Sequence, residues 1–347
     1  MSKHLRGYQW RESKKAIAKK ERAKKKSLSS FSGIDDGTFF LKEPQKSSVV
    51  GLVADVRGES LDIYVGDELV HLGRPRYSSK ANKDMVVGDH VIMDDNDNWL
   101  SIKGVVVRSN VLVRMRRDET RRHTKAAEAH RHIIAANVDL MVVVVSAKEP
   151  PLHPKFIDRW LVIAQNSGID PLVCVNKCEL EGDAERAVIA KYASLGIDII
   201  ETSAIKDIGI DGLKSRIAGK MVVFVGHSGV GKSSLINKIA PGLNLKVGGV
   251  SQKSKKGTHT TTFTKVYKWG KGSYIIDTPG IRSLKAWGID KKSLQYYFDE
   301  FAPYLGKCKY YGCMHLFEPS CAVRNAVDNG AISKERYGSY IKILEEL

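Results

Sequence analysis

The chain has 347 residues, 42% of them hydrophobic, which is more than one ordinary domain needs and enough for real cores. Its 56 Lys and Arg against 39 Asp and Glu leave a formal charge of +17, which favours a polyanionic partner, nucleic acid first. No apolar run approaches the roughly 18 residues of a membrane span, and the N-terminus lacks the apolar centre of a secretory signal. Five cysteines, three of them crowded into 308–321, suit a metal site in a reducing cytosol better than a disulfide framework.

Residues 1–45 open with KKAIAKKERAKKK and pass into SLSSFSGIDDG, a basic flexible arm followed by a Ser/Gly-rich link. An RNA-binding arm and a solubilising tail are both open readings of it. Residues 46–113 alternate apolar and polar positions in short runs broken by Gly and Asp-Asn turns. About five strands of this kind fit a small all-β barrel of the OB type, with an SH3-like barrel as the alternative. Residues 114–137 are dense in Arg and His and read as a basic linker, a loop or short helix. His123, His130 and His132 have no metal-ligand spacing there and are expected at the surface or facing RNA.

From 138 to 290 strand and helix patterns alternate, beginning with VDLMVVVVSA and PKFIDRWLVIAQNSG, and predict an α/β domain with a mostly parallel sheet. Ligands of such sheets bind at the carboxyl ends of the strands. NKCE ends one of them. Asn176 and the stem of Lys177 can support a base there, and the carboxylate of Glu179 can accept two N–H bonds from a guanine edge. ETSA ends the next strand, where Ser203 and Ala204 would lie beside the base and the Ala204 N–H would meet its oxygen. An adenine would turn a lone pair toward the carboxylate, a mismatch that discriminates strongly.

GHSGVGKS follows an apolar strand and opens a helix, the context of a phosphate-binding loop. Gly226, His227, Ser228 and Gly229 begin it, and Val230, Gly231 and Ser234 complete the backbone that curls around phosphate oxygens. Lys232 supplies a point charge and Ser233 a hydroxyl for Mg²⁺. Further on, Thr260, Thr261 and Thr262 form a run in which one residue can reach Mg²⁺ when a γ-phosphate is present. In YIIDTPG, Asp277 is placed to hold Mg²⁺ and the Gly280 N–H to face the γ-phosphate. Base reader, Ser-Ala, phosphate loop, threonines and DTPG stand in an order that predicts a circularly permuted P-loop GTPase domain, since the original termini of compact domains often lie close together. The segment after Asp277 then leads straight toward the C-terminal residues, so a nucleotide-driven shift there is expected to swing a whole module.

Residues 291–347 carry CKYYGCMHLFEPSC, in which Cys308, Cys313, His315 and Cys321 have the spacing C-x4-C-x-H-x5-C. Three thiolates and an imidazole make a closed tetrahedral set, so one structural Zn²⁺ is expected in a mainly helical module. Lys307, Lys309, Tyr310 and Tyr311 around it suit RNA and suit packing equally well.

The permuted order, GHSGVGKSS, GTHTTT, DTPGIR and the Cys-Cys-His-Cys spacing behind an OB-like barrel resemble the bacterial small-ribosomal-subunit biogenesis GTPases called RsgA or YjeQ. The resemblance covers roughly residues 46–347. It implies slow GTP hydrolysis stimulated by the small subunit, a late maturation role with ribosomal RNA contacts, and release of an assembly factor. A cytoplasmic monomer that uses GTP and GDP, with no membrane partner, is the corresponding expectation. The alternative is an RNA-binding assembly module whose nucleotide acts as a binding switch. An ATPase or kinase fits less well, because it leaves ETSA and the threonine run without a role.

Two positions depart from common GTPase practice. The base-reading motif ends in Glu179 rather than Asp, which moves the charge outward by about a bond length. After DTPG stands Ile281, where many GTPases place a water-orienting Gln, so unaided turnover should be slow. His259, beside the threonines, is the local group that could orient water; an exposed loop histidine or an RNA contact is its other reading.

Overall fold

The computed structural model describes residues 40–41, 49–73, 85–96, 99–116, 130–245, 264–277 and 289–347. The N-terminal arm up to residue 39, His123, His259, the three threonines, Gly280 and Ile281 lie outside the described residues.

Five strands with alternating apolar positions, β2 (Val49–Arg57), β3 (Ser60–Val65), β4 (Glu68–Leu72), β5 (His90–Asn96) and β6 (Trp99–Val106), pair antiparallel in the order β6-β5-β2-β3-β4. A two-residue strand, β1 (Phe40–Leu41), adds in parallel to β6. Their inward positions, among them Val53, Ile63, Val91, Met93 and Ile102, form a separate core, consistent with an OB-type barrel.

Where 114–137 is described, at 114–116 and 130–137, strand up to Ala136 replaces the expected loop or short helix. β7 (Val111–Arg116) and β8 (His130–Ala136) pair antiparallel as a two-stranded sheet. Burial of Val111, Leu112, Val113, Ile134, Ala135 and Ala136 accounts for it. The Arg/His density hid a short apolar stretch whose strand becomes evident only when a partner strand is in place.

Beyond it, five parallel strands carry the expected α/β pattern. They are β9 (Leu140–Ser146), β10 (Asp170–Asn176), β11 (Ile199–Thr202), β12 (Met221–Val225) and β14 (Ser273–Asp277), ordered β14-β12-β9-β10-β11. β13 (Lys265–Gly270) runs antiparallel to β14 and also touches β2, so barrel and α/β domain share one continuous sheet. The helices α1 (Pro154–Ser167) and α2 (Asp183–Ser194) cover one face. The other face is covered by α3 (Ile210–Ile217) and α4 (Lys232–Ile239). Alternation along β9 shows why: Met141, Val143 and Val145 enter the first core, and Leu140, Val142 and Val144 the second. The strand that leads into GHSGVGKS, β12, is the fourth of these parallel strands in the chain but lies between β14 and β9. That puts a topological switch point at its carboxyl end.

The C-terminal residues build a third core around Phe298, Phe301, Tyr340 and Ile343, with α5 (Ala322–Asp328) and α6 (Lys334–Glu346). Val162 of α1 belongs to the same core. Across this junction Arg336 reaches Asp158 Oδ1 at 2.6 Å and Glu300 Oε1 and Oε2 at 2.6 and 3.0 Å. Tyr192 Oη donates to the same Asp158 oxygen at 2.6 Å. Asp158 is fully buried and Arg336 nearly so. No helix among the described residues is long and apolar enough to cross a membrane.

Removing one member of a buried ionic set leaves the others without a counter-charge. Arg336→Ala should cost about 3–5 kcal/mol, seen as an earlier denaturant midpoint. Arg336→Lys should recover little of it, because a point charge cannot replace the forked contact with Glu300.

Candidate functional site

The carboxyl ends of β10, β11, β12 and β14 meet at one edge of the sheet, with Asn176 in register with Thr202 and with Ser146. Around β12 the chain turns into α4 through a loop in which Gly229 and Gly231 take positive φ values of 83° and 90°. Gly226 lies so near β9 that a Cβ would come 2.4 Å from the Val144 carbonyl oxygen. These three glycines are therefore required by backbone conformation and close approach.

Lys232 opens α4, and its ammonium spans the loop, donating to the carbonyls of Gly226 and His227 at 2.7 Å each. Ser233 and Ser234 follow in the first turn, half-buried, while Ser228 and Gly229 form the exposed rim. The His227 ring packs on Phe156 of α1, centroids 4.1 Å apart. Asp277 ends β14, and burial pushes its carboxyl above the ordinary carboxylate range, opposed by the Lys232 ammonium. A desolvated carboxylate and a serine hydroxyl beside this glycine-rich loop are hard oxygen donors, the set a magnesium ion takes. The residues therefore fit the metal.

Asn176 ties the segments together. Its Nδ2 donates to the Val230 carbonyl at 2.8 Å, and its Oδ1 accepts from Thr202 Oγ1 at 3.2 Å and from the Ala204 N–H at 3.3 Å. It is 2% exposed. The Ala204 N–H, expected to meet a base oxygen, is turned to this amide here. Ser203 is fully buried and its hydroxyl accepts from the Lys206 N–H at 3.0 Å, which closes the turn beneath Ala204. Lys177 adopts a left-handed conformation, φ 59°, and its ammonium is bonded to the Glu149 carbonyl. Glu179 follows in a short 3-10 turn, exposed at the rim. The neighbouring Cys178 thiol is pushed up by burial and then by Glu179, Glu201 and Glu181, so an acidic field lies at this corner.

The second candidate site lies in the C-terminal core. The ligand atoms of Cys308, Cys313, His315 and Cys321 all lie within 4.8 Å of one another. Cys308 and Cys321 sulfurs are 3.9 Å apart, and His315 Nδ1 is 3.6 and 3.3 Å from them. His315 Nε2 faces Gln295 Oε1 at 2.8 Å, which fixes the ring with Nδ1 toward the sulfurs. Glu318 accepts the Met314, Leu316 and Phe317 N–H groups and so closes the loop between the ligands. Such a cluster can hold a metal ion.

Sequence reasoning missed several of these positions. Thr202 and Gln295 act by supporting a residue distant in sequence, and no local spacing marks them. His227 is a loop residue the sequence does mark, but its packing on Phe156 depends on where α1 lies.

Residues 105–287 match the family described as RsgA GTPase. A curated relative from Chromohalobacter salexigens, named small ribosomal subunit biogenesis GTPase RsgA, is 36% identical over 302 residues, 86% of each chain. The crystal structure of YjeQ from Thermotoga maritima aligns with a TM-score of 0.68 at 29% identity, covering 86% of this chain and 98% of that one. YloQ, described as a circularly permuted GTPase, aligns with a TM-score of 0.65 at 28% identity over 87% of this chain and 95% of its own.

A Cβ at position 231 would fall 2.3 Å from Asn176 Nδ2, whereas at Gly229 the nearest atom is Pro150 Cδ at 3.7 Å. Both positions carry the strain of a positive φ, about 1–3 kcal/mol for a non-glycine residue. Gly231→Ala should therefore weaken guanine nucleotide binding by at least about tenfold, and more than Gly229→Ala does, in a fluorescent nucleotide titration.

Proposed function

The chain belongs to the RsgA GTPase family, and on that premise we propose that it hydrolyses GTP on the small ribosomal subunit, assisting late maturation and leaving the subunit when the nucleotide is spent. The observation that carries the reading is the hydrogen bond from Asn176 to the Val230 carbonyl, 54 residues along the chain, which joins the base-reading corner to the phosphate loop.

In this reading Asn176, the Lys177 stem and Glu179 recognise guanine, with Ser203 and Ala204 closing its edge. The 226–234 loop holds the phosphates through backbone N–H groups. The Lys232 ammonium exchanges its two carbonyl partners for phosphate oxygens. Ser233 and Asp277 hold Mg²⁺, which when bound neutralises charge on the transferring phosphoryl group. One of Thr260, Thr261 and Thr262 completes that set, Gly280 faces the γ-phosphate, and His259 orients the attacking water. Glu179 keeps the charge that favours guanine over adenine.

The Cys308, Cys313, His315 and Cys321 cluster holds a structural zinc ion. Tetrahedral zinc with sulfur bonds of about 2.3 Å spaces its sulfurs about 3.8 Å apart, close to the separation of Cys308 and Cys321 at 3.9 Å. All four positions are filled by protein, so no place is left for substrate. The charge of +17 supports ribosomal RNA as the partner surface, drawn from the arm, the barrel and the metal module together. A cytoplasmic monomer that displaces another assembly factor completes the reading.

Two experiments test it. GTP turnover should rise when purified small subunits are added, and Lys232→Ala should reduce the stimulated rate by at least about a hundredfold. A turnover indifferent to subunits would point to a binding switch instead. Separately, a chelator should lower the melting temperature of the chain, one equivalent of zinc should restore it, and Cys308→Ser should remove that response.

A further inference from the structure

Three strands bring two carboxylates and one ammonium into a single row. On β13, Lys265 is in register with Asp277 of β14 on one side and with Asp55 of β2 on the other. Residues directly opposite across neighbouring strands share a face, with Cβ atoms about 4.5–5.5 Å apart. The Lys265 ammonium therefore has two carboxylates within reach, one from the barrel and one at the end of β14. It is turned to the barrel, 3.2 Å from Asp55 Oδ2.

Asp55 is built to hold it there. Its side chain is 4% exposed. Its Oδ2 also receives Arg57 Nη2 at 2.6 Å and Arg57 Nε at 2.8 Å, while Oδ1 is buried with no hydrogen-bond partner among the described residues. Arg57 has a second carboxylate, Asp62, 3.5 Å away. The other carboxylate in register with Lys265 is Asp277. The barrel is pinned against the same strand by Lys268, whose N–H donates to Tyr64 Oη at 3.2 Å and whose ammonium donates to the Gly66 carbonyl at 2.8 Å.

We propose that Asp55 is a positioning residue for the nucleotide-borne metal: it draws the Lys265 ammonium toward the barrel and so keeps the Asp277 carboxylate free for magnesium. The proposal rests on the reading of Asp277 as a magnesium carboxylate. Without Asp55, Lys265 turns to Asp277 and competes with the divalent ion for one carboxylate. The barrel thereby contributes to metal retention in a domain to which it supplies no ligand. Whatever parts β2 from β13 loosens the metal.

The test is a magnesium titration of the full chain holding a fluorescent, non-hydrolysable GTP analogue, read by anisotropy. Asp55→Asn should raise the magnesium concentration for half-saturation by roughly three- to thirtyfold, the range of coupling between charges in contact. Lys265→Met should leave it within about twofold of wild type, and the double variant should return to that value, because additivity fails only where two groups interact. A rescue of this kind is not what general damage to the barrel would produce. An Asp55→Asn curve that overlays wild type, or a double variant as weak as Asp55→Asn, overturns the proposal. Asp277→Asn separates the two layers. If it leaves the magnesium dependence unchanged, the metal reading falls and the proposal with it. If it weakens the dependence while Asp55→Asn does not, the proposal alone falls. Should Asp55→Asn fail to fold, Asp55→Ser carries the same comparison.

Discussion

A buried, hydrogen-bonded carboxamide holds the candidate nucleotide site together. Asn176 spends its donor on the phosphate loop and its acceptor on the two residues that end and follow β11. Those partners lie 54, 26 and 28 residues away, so no short-range structure could hold them in place. Each such bond contributes only about 1 kcal/mol net, but an orphaned donor or acceptor in this position would cost more. The phosphate loop has adapted to it: Gly231 leaves the space the amide occupies. Chain order can then be permuted freely, because the geometry depends on strand ends meeting at one edge and on the groups that bridge them.

The same logic joins the modules. The C-terminal core and α1 share Val162, and the Asp158, Arg336 and Glu300 set is buried between them. Two residues before Asp158 on α1, Phe156 packs on His227 of the glycine-rich loop. A displacement of the metal-binding module has to carry α1 along or break a buried ionic set. Beside the expected swing of this module by the segment after Asp277 there is thus a second, mechanical connection through α1. On the other flank, β13 links barrel and nucleotide site through Lys265 and Lys268. The α/β domain is held from both sides by its neighbours.

Much was legible in the residues themselves. The parallel strands and their helices appear where apolar runs and the 3.6-residue helical period placed them, because a strand buried on both faces must be continuously apolar, as LMVVVVS in β9 is. The phosphate loop and the metal cluster were legible because their chemistry is local: four ligands within 14 residues, or eight residues between a strand and a helix, suffice to state it. Strand β8 was not, and neither was the pairing of β7 with it instead of with the barrel: the Arg- and His-rich stretch before Ile133 carries little strand signal until Ile133, Ala135 and Ala136 lie beside Val113, Leu112 and Val111.

By itself the amino-acid sequence determined which groups could do chemistry and which family the chain belongs to. Side-chain type and short spacing specify donor atoms. Only the tertiary structure decided how those groups are supported: that Asn176 points at Val230, that Gln295 orients His315, that Arg336 lies between Asp158 and Glu300, and that Lys265 stands between Asp55 and Asp277. Each of these joins residues whose separation along the chain carries no local signal: strand order brings Lys265 beside Asp55 and Asp277 and the Asn176 strand beside the loop at Val230, and the packing of helices and turns in the C-terminal core does the rest.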